Sequence, residues 1–346
     1  MGCSSSAAAG GPRAKPTVTI TGISGYLGSH VCKLYLESGK YKVRGTVRNK
    51  DDEAKMADLK EAFGEALFAK LELRNADLMN AESLMSAIEG SDYVVHVASP
   101  FFFSDDRDSL VGPAVNGTTA VMKACQASKV KRCVVTSSCV SIAFCAVEDR
   151  PADNIYNESH WSNPDAEPCQ NAYFASKTLA EKAAWDFVEK LPVEEKFELV
   201  TICPSFIMGP PLKKNESGSS VGFMKSVLLG QKEALSADTM QSVDVRDAAL
   251  AHLLALQKKE AAGQRYILNQ GEPTWQEYAK PVADKYKPLG WPVSDNEVEA
   301  SEEFHPKFDN SKAKKLGVKF TAWNKTVVDM ADAMVASGAV VKPESS

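Results

Sequence analysis

A short β-branched run, Thr17-Val-Thr-Ile-Thr21, passes directly into Gly22-Ile-Ser-Gly25-Tyr-Leu-Gly28 and then into a helical pattern from Ser29 to Ser38. A buried strand that feeds a glycine turn and a helix restricts the chain to few architectures. The glycines allow a tight turn and a close backbone approach. The helix behind them offers unsatisfied N–H groups to whatever sits there. That combination suits the pyrophosphate of a dinucleotide, here at the spacing G-x-x-G-x-x-G. Three glycines in seven residues also fit plain loop chemistry, and it is the placement after the first strand that favours the nucleotide.

The pattern then repeats. Lys42–Val47 reads as a second strand, Leu67–Leu73 as a third, Asp92–Val97 as a fourth and Arg132–Thr136 as a fifth, with a helix over residues 109–128. Phe197–Cys203 is a further strand and Arg265–Asn269 a short one. Strands alternating with helices predict an α/β fold, a Rossmann doubly wound parallel sheet covered on both faces. The proline-punctuated remainder (Pro273, Pro281, Pro288, Pro292, Pro306) predicts a smaller C-terminal substrate-binding lobe. The expected boundaries are a flexible tail over 1–16, a nucleotide-binding domain over 17–205 and the lobe over 206–346. About 235–270 are expected to return to the nucleotide-binding core. Ligands of such sheets sit at the carboxyl ends of the strands, where the glycine turn, Ala98-Ser99-Pro100 and Ser137-Ser138 fall. His96 lies inside an apolar run and reads as a core histidine. Residues 144–171 read as an irregular connection, and Lys213–Ser220 as a polar, flexible loop able to cover a substrate.

The second strand ends in Arg48, where an NAD site usually places an acid for the ribose hydroxyls. Arg48, with Lys55 past a polar turn, suits a 2′-phosphate, so NADPH is expected over NADH. A solvated arginine at a strand end is the plainer reading, and Asp51, Asp52 and Glu53 stand nearby. The net charge of −5 gives no general attraction to nucleic acid. The 346-residue chain has no apolar run of the ~20 residues a membrane span needs. Its eight cysteines form no Cys-x-x-Cys pair and its five histidines no metal-ligand spacing, so no metal site is expected. The cysteines read as reduced thiols of a cytoplasmic protein. Met-Gly-Cys-Ser-Ser-Ser6 fits the N-myristoylation pattern at Gly2, with Cys3 as a second acylation site. Those acyl groups would tether the chain to a membrane; a leader of no consequence is the other reading.

Tyr173-Phe-Ala-Ser-Lys177 opens a stretch free of glycine and proline as far as Lys190, so a helix is expected. The i,i+4 spacing puts Tyr173 and Lys177 on one face. A free phenol, with a pKa of ~10, holds its proton at neutral pH. A neighbouring ammonium lowers that value, which makes the pair a proton donor and acceptor.

Taken together, these motifs resemble an extended short-chain dehydrogenase/reductase, and within it the dihydroflavonol reductase, cinnamoyl-CoA reductase and yeast-type aldehyde/ketone reductase group. The likeness covers about residues 17–330. It rests on the glycine turn, Val47-Arg48 with Lys55, Ala76-Asp77-Leu78, His96-Val-Ala-Ser-Pro100, Val135-Thr-Ser-Ser138, Tyr173-x-x-x-Lys177 and Pro204-Ser-Phe-Ile-Met-Gly-Pro210. It implies Ser138, Tyr173 and Lys177 as the catalytic set, with Ser138 rather than Ser137 in the serine's role. It implies Gly22, Gly25, Tyr26, Leu27 and Gly28 at the pyrophosphate, Arg48 and Lys55 at the 2′-phosphate, and Asp77 and Leu78 at the adenine. Val97, Ala98 and Ser99 would run beside the ribose and nicotinamide, Lys177 would bind a ribose hydroxyl, and Pro204, Ser205, Phe206 and Ile207 would lie behind the ring. The implied activity is NADPH-dependent reduction of an aldehyde or ketone, with oligomeric state left open between monomer and dimer. Two departures bear on the substrate. Asn171-Ala-Tyr173-Phe-Ala-Ser-Lys177 lacks the Trp of the cinnamoyl-CoA signature, and Ala143 stands where flavonoid reducers place an Asn. Both point to a simpler carbonyl compound, and Phe101, Phe102 and Phe103 read either as an apolar wall of its pocket or as plain packing. The competing readings are an NAD-dependent 3β-hydroxysteroid dehydrogenase or sugar-nucleotide epimerase on the same fold, and a non-catalytic NADP sensor or scaffold.

Overall fold

The computed structural model describes residues 14–99, 106–166, 171–301 and 304–344. The acylation pattern at Gly2 and Cys3 and the Phe101, Phe102 and Phe103 run lie outside them. From the N-terminal side, β1 (Thr17–Thr21), α1 (Tyr26–Ser38), β2 (Lys42–Val47), α2 (Glu53–Phe63), α3 (Glu65–Phe68) and β3 (Leu71–Asn75) build half of a wound sheet. Next come α4 (Ala81–Ile88), β4 (Tyr93–His96), α5 (Arg107–Ala127), β5 (Arg132–Thr136), α6 (Val140–Ala143), β6 (Ile155–Tyr156) and α7 (Ala172–Lys190). β7 (Glu198–Pro204), β8 (Phe206–Met208), α8 (Ser219–Leu228), β9 (Leu235–Ser236), β10 (Ser242–Asp244), α9 (Val245–Gln257) and β11 (Gln264–Leu268) follow. The last elements are α10 (Trp275–Tyr286), β12 (Glu297–Val298), β13 (Lys307–Phe308), α11 (Ser311–Leu316) and α12 (Trp323–Ala336).

Seven strands pair in parallel in the order β11-β7-β5-β4-β1-β2-β3. Alternate strand residues enter different cores. Val95, Val134 and Val200 face the cluster shared by α1 and α9, while Val94, Cys133 and Leu199 face the one shared by α4, α5 and α7. Burial on both faces is why these strands read as near-continuous apolar runs. From β1 the chain winds outward through β2 to β3, then crosses back to lay β4 on the other side of β1. A crevice opens where the winding direction reverses, at the carboxyl ends of β1 and β4.

One strand, β3, begins four residues later than expected, where β4, β7 and β11 shift by a single residue. Leu67 and Phe68 close the short helix α3, and the edge strand begins only at Leu71. Both side chains pack against the α1 core, and a short apolar run reads alike in a buried turn and in a strand. The smaller lobe has its own core, in which Met224 of α8, Tyr278 of α10 and Met330 of α12 are buried together. It is tied to the sheet-bearing part by β8 pairing with β10, and by β13 pairing with β6 inside the connection expected to be irregular.

Three histidines are buried as neutral rings. Burial lowers the pKa of His30, His96 and His252 to about 4 in each case. His252 donates from Nδ1 to the Ala248 carbonyl (2.7 Å) and accepts at Nε2 from the Thr136 hydroxyl (2.8 Å). A lowered folded-state value means that the unfolded chain takes up the proton first as pH falls. Stability should therefore be flat above about pH 6.5 and drop between there and about pH 4, by about 3 kcal/mol per ring. Urea midpoints measured across that window check this, and His252→Gln should flatten the fall.

Candidate active site

The crevice is built from backbone. Gly22 follows β1 with φ +71°, and a Cβ placed on it would stand 2.9 Å from the Cα and Cβ of Ala98. A Cβ on Gly28 would stand 2.1 Å from the Gly22 carbonyl oxygen. Neither position has room for a side chain, because turn, helix α1 and the end of β4 meet there without spacers. Gly25 begins α1 with no side-chain cap, leaving the N–H groups of its first turn to face the cavity. The Tyr26 hydroxyl donates to the Gly209 carbonyl (2.5 Å), joining this helix to the end of β8. The Thr21 hydroxyl accepts from the N–H groups of Val97 and Ala98 (3.1 Å each) and donates to Nδ1 of His96 (2.8 Å). His96 thus locks the strand end as a neutral acceptor, in keeping with a core histidine.

Gly22, Gly25, Tyr26, Leu27 and Gly28 line one cavity of about 1190 Å³. Arg48, Asp77 and Leu78 line its outer end, and Val97, Ala98 and Ser99 its floor. A narrow glycine cradle under open helix N–H groups, with a cation at the far side, fits a dinucleotide phosphate chain. Lys55 is the exception among the residues expected here. It lies off the cavity wall, and its exposed ammonium pairs with Asp52 (3.1 Å), the residue whose carboxylate caps α2. Once Asp52 serves as that cap, Lys55 three residues on is held beside it. Arg48 is exposed at the rim and makes no ion pair among the described residues.

A second wall comes from α7 and the turn after β5. Asn171 caps α7, its side chain accepting from the N–H of Tyr173 (2.9 Å) and of Phe174 (3.4 Å). The cap starts the helix so that Tyr173 falls in its first turn and Lys177 one turn on, and both line the cavity with Ser138. Ser138 and the Tyr173 phenol share a hydrogen bond. The Lys177 ammonium donates to the Ser99 hydroxyl (2.7 Å) and stands 5.8 Å from the centre of the Tyr173 ring. Ser137 turns away, its hydroxyl donating to Glu181 (2.5 Å).

The electrostatics correct one expectation. Lys177 does not dominate the phenol. Burial pushes Tyr173 up to about 12, with Cys139 adding to the rise and the Ser138 hydrogen bond opposing it. Burial likewise brings Lys177 down to about 8. A site with this little water penalises either charge more than the two side chains relieve each other.

Pro204, Ser205, Phe206 and Ile207 form a further wall, and beyond them the cavity turns apolar. Phe144 and Phe174 pack there at a 40° tilt with ring centres 4.2 Å apart, Phe304 meets Phe144 edge-on, and Met240 and Trp275 line the same cavity. His305 shares this end, paired through Nε2 with Asp238 (3.1 Å). None of these was evident from sequence. They come from unconnected elements and carry no spacing pattern, though Phe144 directly follows Ala143. Ala143 itself is off the wall, fully buried beside Ile142 in a core that includes Tyr156 and Phe308. The four-residue helix α6 turns Ala143 inward and Phe144 outward, so the absent Asn says nothing about the pocket surface.

The Lys213–Ser220 loop is also not the loose cover expected. The Lys213 ammonium donates to the Ser24 carbonyl of the glycine turn and pairs with Glu216 (3.0 Å), both side chains being buried. Ser217, Gly218, Ser219 and Ser220 line the cavity beside it. The described cysteines Cys32, Cys125, Cys133, Cys139, Cys145 and Cys203 are free and buried. Among the described residues no helix is long and apolar enough to cross a membrane, and no group of acidic, His or Cys residues could hold a metal ion.

Residues 18–271 match the model of the NAD dependent epimerase/dehydratase family. The chain belongs to that family. Cinnamoyl-CoA reductase 1 of Arabidopsis thaliana is 35% identical over 323 residues, covering 93% of this chain and 90% of the relative. The NADPH-dependent methylglyoxal reductase GRE2 of Saccharomyces cerevisiae is 33% identical over 342 residues, covering 91% and 97%. Yeast methylglyoxal/isovaleraldehyde reductase Gre2, solved with NADPH, superimposes with a TM-score of 0.78 at 29% identity, covering 94% of this chain and all of that one. The plant and yeast enzymes are almost equally distant, so identity alone does not choose between their substrates. The extended short-chain reductase group expected from the motifs is the one these relatives occupy.

Gly22→Ala tests the cradle. Positive φ and the contact with Ala98 both oppose a side chain, so the variant should lose about 1–3 kcal/mol of stability and bind dinucleotide weakly. Denaturant unfolding and nucleotide titration provide the measurement.

Proposed function

We propose that this protein is an NADPH-dependent reductase of an aldehyde or ketone, with Ser138, Tyr173 and Lys177 as its proton-handling set. The observation that carries the reading is their convergence. Three side chains from α7 and the turn after β5 face one cavity beside a glycine cradle, with the phenol hydrogen-bonded to Ser138. The related reductases support the cofactor, since the yeast and Candida albicans enzymes were solved with NADPH.

NADPH, when bound, supplies the hydride that reduces the carbonyl carbon. The protein's own part is placement and proton management. Tyr173, pushed up to about 12, keeps its proton at neutral pH and donates it to the oxygen on which charge develops. Ser138 hydrogen-bonds the same oxygen and holds it within reach of the phenol. Lys177, brought down to about 8, remains largely charged at neutral pH and offsets the phenolate left behind. The glycine turn and α1 N–H groups would hold the pyrophosphate, and Arg48 the 2′-phosphate. Asp77 and Leu78 would border the adenine, and Val97, Ala98 and Ser99 the ribose. Pro204, Ser205, Phe206 and Ile207 would back the nicotinamide. The apolar end around Phe144, Phe174, Met240 and Trp275 takes the rest of an uncharged carbonyl compound. For the N-terminus, acylation of Gly2 and Cys3 is proposed on the sequence pattern alone, and mass spectrometry of the native terminus tests it.

Loss of reduced-nicotinamide absorbance against a panel of aldehydes and ketones is the direct test. Tyr173→Phe should fold and bind NADPH normally yet lose at least roughly 100-fold in kcat; a variant that keeps most of its turnover would sink the assignment. Arg48→Gln should raise the KM for NADPH by roughly 10-fold or more while leaving that for NADH unchanged. Equal effects on both cofactors would remove Arg48 from the phosphate site.

A further inference from the structure

We propose that Glu181 is the positioning residue of this site: its carboxylate sets where Ser138 stands relative to Tyr173 and Lys177. The inference rests on the proposed proton-handling set and assigns a role to a residue that set does not contain. Tyr173, Lys177 and Glu181 follow one another at intervals of four along α7, and so form one stripe. The first two face the cavity and the third, fully buried, points into the protein behind it.

Six side chains donate to this carboxylate, the Cys203 thiol (3.8 Å) the weakest of them. Oε2 lies 2.5 Å from the hydroxyls of both Ser137 and Ser141, while Oε1 accepts from Thr201 (2.7 Å), Trp185 Nε1 (3.3 Å) and Arg265 Nε (2.7 Å). The Ser141 hydroxyl is also 2.7 Å from the carbonyl oxygen of Ser138 and divides its one proton between the two acceptors. Ser138 is therefore bracketed. Its preceding neighbour is fastened to Glu181 directly, and its own carbonyl through Ser141. The N–H groups of Ser137 and Cys139, on either side, bond to the carbonyls of Ile202 (2.7 Å) and Pro204 (3.0 Å). β5, β7, β11 and α7 all meet at one side chain.

Only an ionised carboxylate has the acceptor capacity for such a set. Burial alone would raise its pKa, but the Arg265 charge and the convergent hydrogen bonds outweigh it and hold the value below the usual range. Arg265 is itself fixed, donating to the carbonyls of Glu158 (2.9 Å) and His160 (2.6 Å) and stacking 3.6 Å over the Trp161 ring. A buried ion pair is weak evidence for stability, because desolvation consumes most of its attraction. What this pair supplies is direction: a rigid anchor whose distance to the serine turn cannot drift.

The double variant Ser137→Ala/Ser141→Ala tests the link while leaving the Glu181–Arg265 pair intact. With tyrosine carbon-13 labelled at the hydroxyl-bearing ring carbon, and Tyr173→Phe used for assignment, the Tyr173 resonance should move as its Ser138 partner shifts. NADPH affinity should stay within about twofold, and kcat should fall about 10- to 100-fold, the scale of a small misplacement. An unmoved resonance, or kcat and NADPH affinity falling together, would overturn the proposal. If the unmodified protein reduces nothing in the carbonyl panel, the functional reading fails, while the resonance still decides the positioning role. Should the double variant not fold, Ser141→Ala carries the same readouts.

Discussion

The approach of Gly22 to Ala98 is the contact on which the rest of the site depends. Two strand ends come together there with no side chain between them, and the resulting slot opens beneath the exposed N–H groups of α1. Any Cβ at Gly22 or Gly28 would part the turn from β4 or from its own helix. The Thr21 hydroxyl, fixed between His96 and the amides of Val97 and Ala98, holds the slot at that width. A buried neutral imidazole thereby keeps the nucleotide groove in shape.

Opposite the groove, burial governs the chemistry. Water exclusion raises the phenol of Tyr173 to about 12 and lowers the ammonium of Lys177 to about 8, so two proton affinities that are nearly equal in free side chains move apart. The phenol therefore holds its proton at neutral pH, while the ammonium stays largely charged beside it. The i,i+4 spacing supplies proximity, the Asn171 cap fixes the starting point of the helix, and the packing of α7 against α5 supplies the dryness.

Much of this was legible in the order of residues. Parallel strands buried on both faces announce themselves as apolar runs, and β2 and β5 fall on the expected residues. The residues expected around the cofactor and the reactive carbon line one cavity, Lys55 apart. The departures share a cause: each depends on a contact that sequence spacing does not encode. Leu67 and Phe68 are apolar in a helical turn as they would be in a strand. Lys55 is claimed by the cap of α2, and Ala143 is rotated inward by a four-residue helix. The apolar end gathers Phe144, Met240, Trp275 and Phe304 from elements far apart in the chain, with no periodicity to reveal them. The phenol's pKa is not legible in the spacing, because two residues one turn apart disclose their separation and not the solvent between them.

The pairing of β13 with β6 carries a consequence for biogenesis. Phe304, His305, Pro306 and Phe308 furnish part of the cavity wall, yet they are among the late portions of the chain to leave the ribosome. The glycine turn and the cavity-lining Ser138, Tyr173 and Lys177 are encoded well before them. During synthesis the pocket therefore stays open on one flank until β13 emerges and docks, and a nascent chain has to shield that apolar surface in the interval.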